Sequence, residues 1–258
     1  MEISLAAEKI GSILGMPITN SLLMSWMAII LLLILGYLGG RNLQLVPKGI
    51  QNFFESIIEY LLSLTDDIIG NKEVSRRYFP LIATFFIFIV TANWMGLIPG
   101  VGTIGFHEMH KGKEVFVPLL RGGNADLNTT LALAITSVFA VQIFGIGALG
   151  VVKYAKKFFN FKGPIEFFVG ILELISEISK MISFSFRLFG NIFAGEVLLT
   201  VVAFLVPWIA PLPFFGLELF VGLVQGLVFT MLTLVFIKMA ITDHEGHEEH
   251  VQVPVTNE

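Results

Sequence analysis

The sequence predicts an all-α polytopic membrane protein: about five transmembrane helices, one interfacial amphipathic helix, and a long tilted hairpin made by the last two spans. Three observations carry this. Of 258 residues, 55% are hydrophobic and only 14% charged, and the mean hydropathy is +0.83, whereas a soluble domain carries about 25% charged residues. Several apolar runs reach the ~20 residues that span a bilayer as a helix. Those runs are continuous, not the short alternating segments of a transmembrane barrel. Residues 1–258 are expected to form a single membrane domain. The chain has no cysteine, which excludes disulfides, thiolate zinc sites and iron–sulfur clusters. Met1–Ile18 pairs a weak apolar run with Glu2 and Glu8, unlike a cleavable signal.

Taken in order, residues 1–20 read as a short exposed lead-in. Residues 21–40 make the first span, ended by Gly39-Gly40-Arg41. In 48–69, Ile50, Phe53, Phe54, Ile57, Ile58, Leu61, Leu62, Ile68 and Ile69 recur at helical spacing, with Glu55, Glu59 and Asp66 off the stripe. That pattern lies at an interface instead of crossing it. Arg76-Arg77 anchors a second span, 78–98. Residues 99–126 are rich in glycine, proline and charge and read as a loop. Asp126 caps a third span, 126–152, whose first turn is polar through Asn128, Thr129 and Thr130. Gly163-Pro164 opens a helix over 164–205. A proline-rich turn leads to a last helix, 214–241, and a polar tail, 243–258.

Arg41, Lys48, Lys72, Arg76, Arg77, Lys153, Lys156, Lys157, Lys162 and Lys238 fall at one side, against Lys9, Lys111, Lys113 and Arg121 at the other. The richer side is expected to be cytoplasmic, with the tail inside. Residues 164–205 as one helix would be about 60 Å long, against a hydrocarbon core of ~30 Å. A strong tilt plus a cytoplasmic extension carrying Glu166, Glu173 and Glu177 accommodates that length.

Arg187 stands in the middle of this apolar helix and cannot shed its charge. Placing it at membrane depth costs about 3 kcal/mol on insertion scales, so it is a functional-site hypothesis by default. At about 100° per residue, Lys180, Ser183, Gly190, Asn191 and Ala194 share its face. Ile182, Ser185, Phe189, Ile192, Phe193 and Glu196 lie opposite. Small residues let another helix approach, so a partner is expected on the arginine face. Folding the hairpin antiparallel brings Arg187 level with Gln225 and Glu196 level with Glu218, an arginine–glutamine level near mid-membrane and a pair of buried carboxylates nearer the outer side. Asp126 and Asn128 start the third span from that side. Together they would line a partial aqueous path. Ser183, Lys180, Glu177 and Glu173 would line a second path from the cytoplasm. A fixed cation between two dead ends blocks leakage and attracts a carboxylate carried by a partner.

The residues then resemble subunit a of F-type ATP synthases. The match is Ser183-x-x-x-Arg187-Leu-Phe-Gly-Asn191-Ile-Phe-Ala-Gly-Glu196, with Gln225 in Leu223-Val-Gln-Gly-Leu-Val-Phe, Ala125-Asp-Leu-Asn-Thr-Thr-Leu131, and Ala92-Asn-Trp-Met-Gly-Leu-Ile-Pro99. The motifs, in order, cover nearly the whole chain. The resemblance implies that Arg187 is the essential stator charge facing a ring of c subunits. It also implies that Ser183, Asn191, Glu196 and Gln225 line or border the ion half-channels. Glu218 stands where some members have histidine. The outer loop 100–123 matches nothing assignable.

Each residue also has a plain structural alternative. Arg187 would pair with Glu173, Glu177 or Glu218. Asn191 would be interhelical glue. Glu196 and Glu218 would share a proton that only steadies the hairpin. Lys180 would snorkel and pair with Glu177, Asp126 would be only a cap, and Glu173 and Glu177 would be solvated acids. His244, His247 and His250 belong to a solvated acidic tail, not to a metal site. No phosphate loop, catalytic triad or nucleic-acid motif is visible, so neither a cofactor nor catalysis of ATP chemistry by this chain is expected.

The expectation is therefore a stator that passes H+ or Na+ to a ring of c subunits, braced by peripheral-stalk b subunits through residues 50–69, in a bacterial inner membrane ahead of an organelle inner membrane or thylakoid. The rival is a self-contained ion channel or proton-coupled secondary transporter using Glu196 and Glu218 as its own carriers. No internal repeat of the usual transporter kind supports it.

Overall fold

A computed structural model describes residues 7–13, 15–41, 44, 47–110, 113–158, 163–207 and 209–242. The polar tail and its histidines lie outside the described residues. In chain order the elements are β1 (Lys9–Ile13), β2 (Met16–Thr19), α1 (Asn20–Gly40), α2 (Ile50–Ile69), α3 (Lys72–Gly96), β3 (Gly105–His110) and β4 (Lys113–Pro118). A short 3-10 turn at Gly123–Ala125 follows, then α4 (Leu127–Leu149), α5 (Val151–Phe158), α6 (Pro164–Leu205) and α7 (Pro211–Ile241). The protein is an all-α polytopic membrane protein, and α1, α3, α4, α6 and α7 are long and apolar enough to cross a bilayer.

The core forms where α3, α4, α6 and α7 meet. Phe85, Ile89, Ala134, Phe184, Leu188 and Phe229 are buried together. The Phe184 and Phe229 rings lie 5.1 Å apart, which fixes the register of the α6–α7 hairpin. Toward the other end, Tyr78 and Ile82 of α3 pack with Leu234 and Ile237 of α7. The α3–α7 approach is close enough that a Cβ on Gly222 would press on Asn93. Amphipathic α2 rests on α3 through Leu61, packed with Phe86 and Val90, and leaves Phe53 and Tyr60 exposed.

Several boundaries differ from the sequence expectation for local reasons. Helix α3 begins at Lys72 and not at 78, because the Asn71 side chain accepts from the backbone N–H groups of Glu73 and Val74. Arg76 and Arg77 therefore sit inside the helix. Helix α4 stops at Leu149 because Gly150 takes φ 83°, ψ 153°, a conformation open essentially to glycine alone. The chain turns there into α5, whose Tyr154 ring returns against Gly145 and donates its hydroxyl to Gln142 at 2.6 Å. Helix α6 runs unbroken for 42 residues, roughly 63 Å at 1.5 Å per residue.

The expected exposed lead-in and the expected loop 99–126 both hold paired strands. The lead-in is not simply exposed: β1 and β2 pair antiparallel, and Asn20 and Ser21 just beyond them are fully buried. Within residues 99–126, β3 and β4 form a second antiparallel hairpin. Both hairpins gather at the end of the bundle where α1 and α4 begin; the Asn20 amide donates to the Pro118 carbonyl at 3.2 Å.

Candidate functional site

Helix α6 has a polar seam along one face. Arg187 is exposed there, together with Ser183, Asn191 and Ala194. Among the described residues Arg187 makes no hydrogen bond and no ion pair. Beside that seam Phe184, Leu188 and Phe189 fill the core and the Ser185 hydroxyl shares a hydrogen bond of 3.2 Å with Thr130, while Ile182, turned away from Arg187, is exposed. The helical arithmetic that put small residues beside the arginine matches the exposed seam, but the bulky side is only partly inner: Ser185 and Phe189 are buried and Ile182 is not.

One turn above Arg187, Asn191 donates to Gln225 at 2.7 Å. Gln225 is buried at 4% exposure, and its Nε2 has no partner among the described residues. The amide level expected between Arg187 and Gln225 is therefore carried by Asn191. Seven residues earlier on α7, Glu218 is also buried, at 6% exposure. Its carboxyl fills the space over Gly195, where any Cβ would overlap it. Glu218 and Gln225, two turns apart, form a ladder on the side of α7 that meets α6.

Below Arg187 a groove of about 430 Å³ runs toward the α5 end of the bundle, lined by Glu173, Ser176, Ser179, Lys180, Ser183 and Arg187 on α6 and by Leu232, Phe236 and Met239 on α7. Glu173 is paired with Lys157 of α5 at 2.8 Å. Lys180 pairs with Glu177 at 2.7 Å and lies over the Phe236 ring, 4.7 Å from its centre. Glu177 is buried and not a solvated acid. These two acids are thus matched by lysines, not by Arg187.

At the hairpin end, Asp126 is the N-cap of α4. Its Oδ1 accepts from the Asn128 backbone at 3.1 Å and from the Asn128 side chain, and its Oδ2 accepts from Ser21 at 2.9 Å. Its carboxylate is committed to structure, while Asn128 stays exposed. Beside it, Asn124 donates to Asn93 at 2.7 Å and Asn93 donates to the Gly222 carbonyl at 2.9 Å. That buried amide chain ties α3 to the turn before α4 and to α7.

Beside the expected carboxylate level stands a cation. Glu196 is held by Arg121, whose Nε lies 3.3 Å from each carboxylate oxygen. From its sequence position Arg121 is only an outer-side charge. It is buried at 6% exposure, with its guanidinium 5.7 Å from the centre of the Phe193 ring. Arg121 carries no periodic signal; only the tertiary fold brings it to α6. Ser176, by contrast, was legible: it lies eleven residues, about three turns, before Arg187 and so on the same face.

The family described as ATP synthase A chain matches residues 22–238. ATP synthase subunit a of Campylobacter fetus is 36% identical over 221 residues, 84% of this chain and 88% of that protein. The subunit a of Moorella thermoacetica is 36% identical over 88% of this chain and 93% of its own length, and that of Helicobacter pylori is 35% identical over 84% and 88%.

Proposed function

The chain belongs to the ATP synthase A chain family, a membrane-sector subunit concerned with ion transport for ATP synthesis, and we propose that Arg187 is its stator charge, separating two half-channels and facing a ring of c subunits. The observation that carries this reading is an exposed arginine on a stripe of small and polar residues, with no counter-charge among the described residues of its own chain. The acid that answers it belongs to another polypeptide.

The groove lined by Ser176, Ser179, Lys180, Ser183 and Glu173 is the half-channel on the cytoplasmic side, with Glu177 steadying Lys180. Glu196, Glu218, Gln225 and Asn191 mark the half-channel from the opposite side, with Asn128 at its rim and Asp126 shaping its wall. An ion, H+ or Na+, enters one path and neutralises a ring carboxylate. The ring turns and the ion leaves by the other path. Arg187 holds the ionised carboxylate in transit, and each charge moved down 100 mV supplies about 2.3 kcal/mol. The membrane is the inner membrane of a bacterium, with the C-terminus cytoplasmic. Helix α2 braces the peripheral-stalk b subunits through its exposed face.

Reconstitution tests the reading. The isolated chain in vesicles is expected to carry no saturable ion flux, and the flux appears when the ring is added. Saturable transport by the chain alone would establish the self-contained channel or transporter instead. In the whole complex, Arg187→Ala is expected to abolish ATP-driven ion uptake with the complex still assembled; intact coupling in that variant would refute the stator assignment.

A further inference from the structure

We propose that Arg121 is a positioning residue of the outer half-channel: it holds the Glu196 carboxylate at the channel wall and releases it each time a proton arrives. The inference rests on the stator reading above and adds a second fixed cation to it.

The two ends of this ion pair are unlike each other. The Arg121 side chain is 7% exposed, while the Glu196 side chain is 37% exposed. A pair serving only as a brace has no need of an open end; here the guanidinium is anchored and the carboxylate faces accessible space. Phe193, one turn before Glu196 on α6, backs the guanidinium. The 3-10 turn two residues after Arg121 packs on α1, where a Cβ at Gly123 would strike Ser25. The cation is thus carried by the hairpin-end scaffold, from which it reaches across to Phe193 and Glu196 of α6. The remaining acid of the same path, Glu218, lies against Gly195, the residue next to Glu196, and has no ion pair among the described residues. Asp126, the other acid nearby, is taken up by Asn128 and Ser21. Of Glu196, Glu218 and Asp126, Glu196 is thus the acid paired with a cation among the described residues. Both of its oxygens lie at the same 3.3 Å from one N–H, a contact that protonation of either oxygen weakens. A proton moving from outer water onto the carboxylate removes the charge that Arg121 holds. The neutral carboxyl is then free to pass the proton toward Glu218, and its loss restores the pair.

The test measures ATP-driven proton uptake per complex in inverted vesicles carrying the whole ATP synthase. Arg121→Gln is expected to lower uptake at least tenfold with the complex present, and Arg121→Lys three- to tenfold, since an ammonium keeps the charge but lacks the planar side-on donor. In a Glu196→Gln background, Arg121→Gln is expected to add no further loss of uptake, because the carboxylate it positions is already gone. Wild-type uptake per complex in Arg121→Gln overturns the proposal, as does an equal further loss in the Glu196→Gln background. If Arg121→Gln fails to accumulate, Arg121→Lys decides: undiminished uptake makes the pair a folding brace and overturns the proposal. The Arg187→Ala arm keeps the two claims apart. Its loss of uptake upholds the stator reading whatever Arg121 does, and its retention refutes that reading independently.

Discussion

Gly195 decides where the carboxyl of Glu218 can sit. A Cβ at that position would overlap the carboxyl group, and the far end of a glutamate is mobile enough to move aside without unfolding the hairpin. Gly195→Ala is therefore expected to leave the amount of assembled complex near wild type while lowering ATP-driven ion uptake several-fold. Adding Glu218→Asp, which withdraws the carboxyl by one methylene, should recover part of the loss. Uptake unchanged in Gly195→Ala would show that the carboxyl position is immaterial. At this scale the sequence was informative along helices and blind across them. Arg187, Ser183 and Asn191 share a face by counting alone. The pairing of Glu196 with Arg121 depends on a turn between two hairpins, and no spacing rule reaches from residue 121 to residue 196.

Helix α5 shows how one backbone position redirects an element. The apolar run of the third span continues past residue 149, so its composition gives no stop. The stop is conformational: Gly150 at φ 83° ends α4 and aims the next turn so that Tyr154 packs over Gly145. Gly150→Ala is expected to cost about 1–3 kcal/mol, read as a lower thermal midpoint in detergent; an unchanged midpoint would mean that α4 and α5 merge without loss. The buried phenol of Tyr154 is pushed up to about 12 from an ordinary 10.0, chiefly by burial, with the Glu177 and Glu173 carboxylates adding to it. The fold thus prefers the neutral phenol. Its contribution to stability is complete below pH 10.0 and fades as the pH climbs from there through about 12. Thermal midpoints measured across that window should decline less steeply in Tyr154→Phe than in the wild type; parallel declines would place the effect elsewhere. The long helix α6, the amphipathic α2 and the α6–α7 hairpin were all legible because periodicity and length are local properties. The two β-hairpins were hidden because short polar segments with glycine and proline have the composition of loops whether or not they pair.

On the scale of the whole molecule, the division of α6 into a buried and an exposed face becomes a statement about assembly. The buried side is spent on α4 and α7, where Phe184, Leu188 and Ser185 are within the core. The outer side, with Ser183, Arg187, Asn191 and Ala194, is exposed among the described residues, and Gly190 between them has open space where a Cβ would be. A small-residue surface of this kind admits a helix to close packing. The chain contains no cysteine, so single cysteines can report which surface the ring uses without a background. Ser183→Cys and Ala194→Cys are expected to form disulfides with cysteines placed on the outward helix of the c subunit in the assembled complex. Ser185→Cys, at 0% exposure, should form none under the same oxidant. Spaced eleven residues apart, 183 and 194 span about 16 Å of helix, so the pair also reads the crossing angle. Partner cysteines at matching heights indicate a ring helix nearly parallel to α6, while only one reacting height indicates a steep crossing centred near Arg187. Cross-links from position 185, with silence from 183 and 194, would put the ring on the opposite side of α6 and leave Arg187 facing lipid.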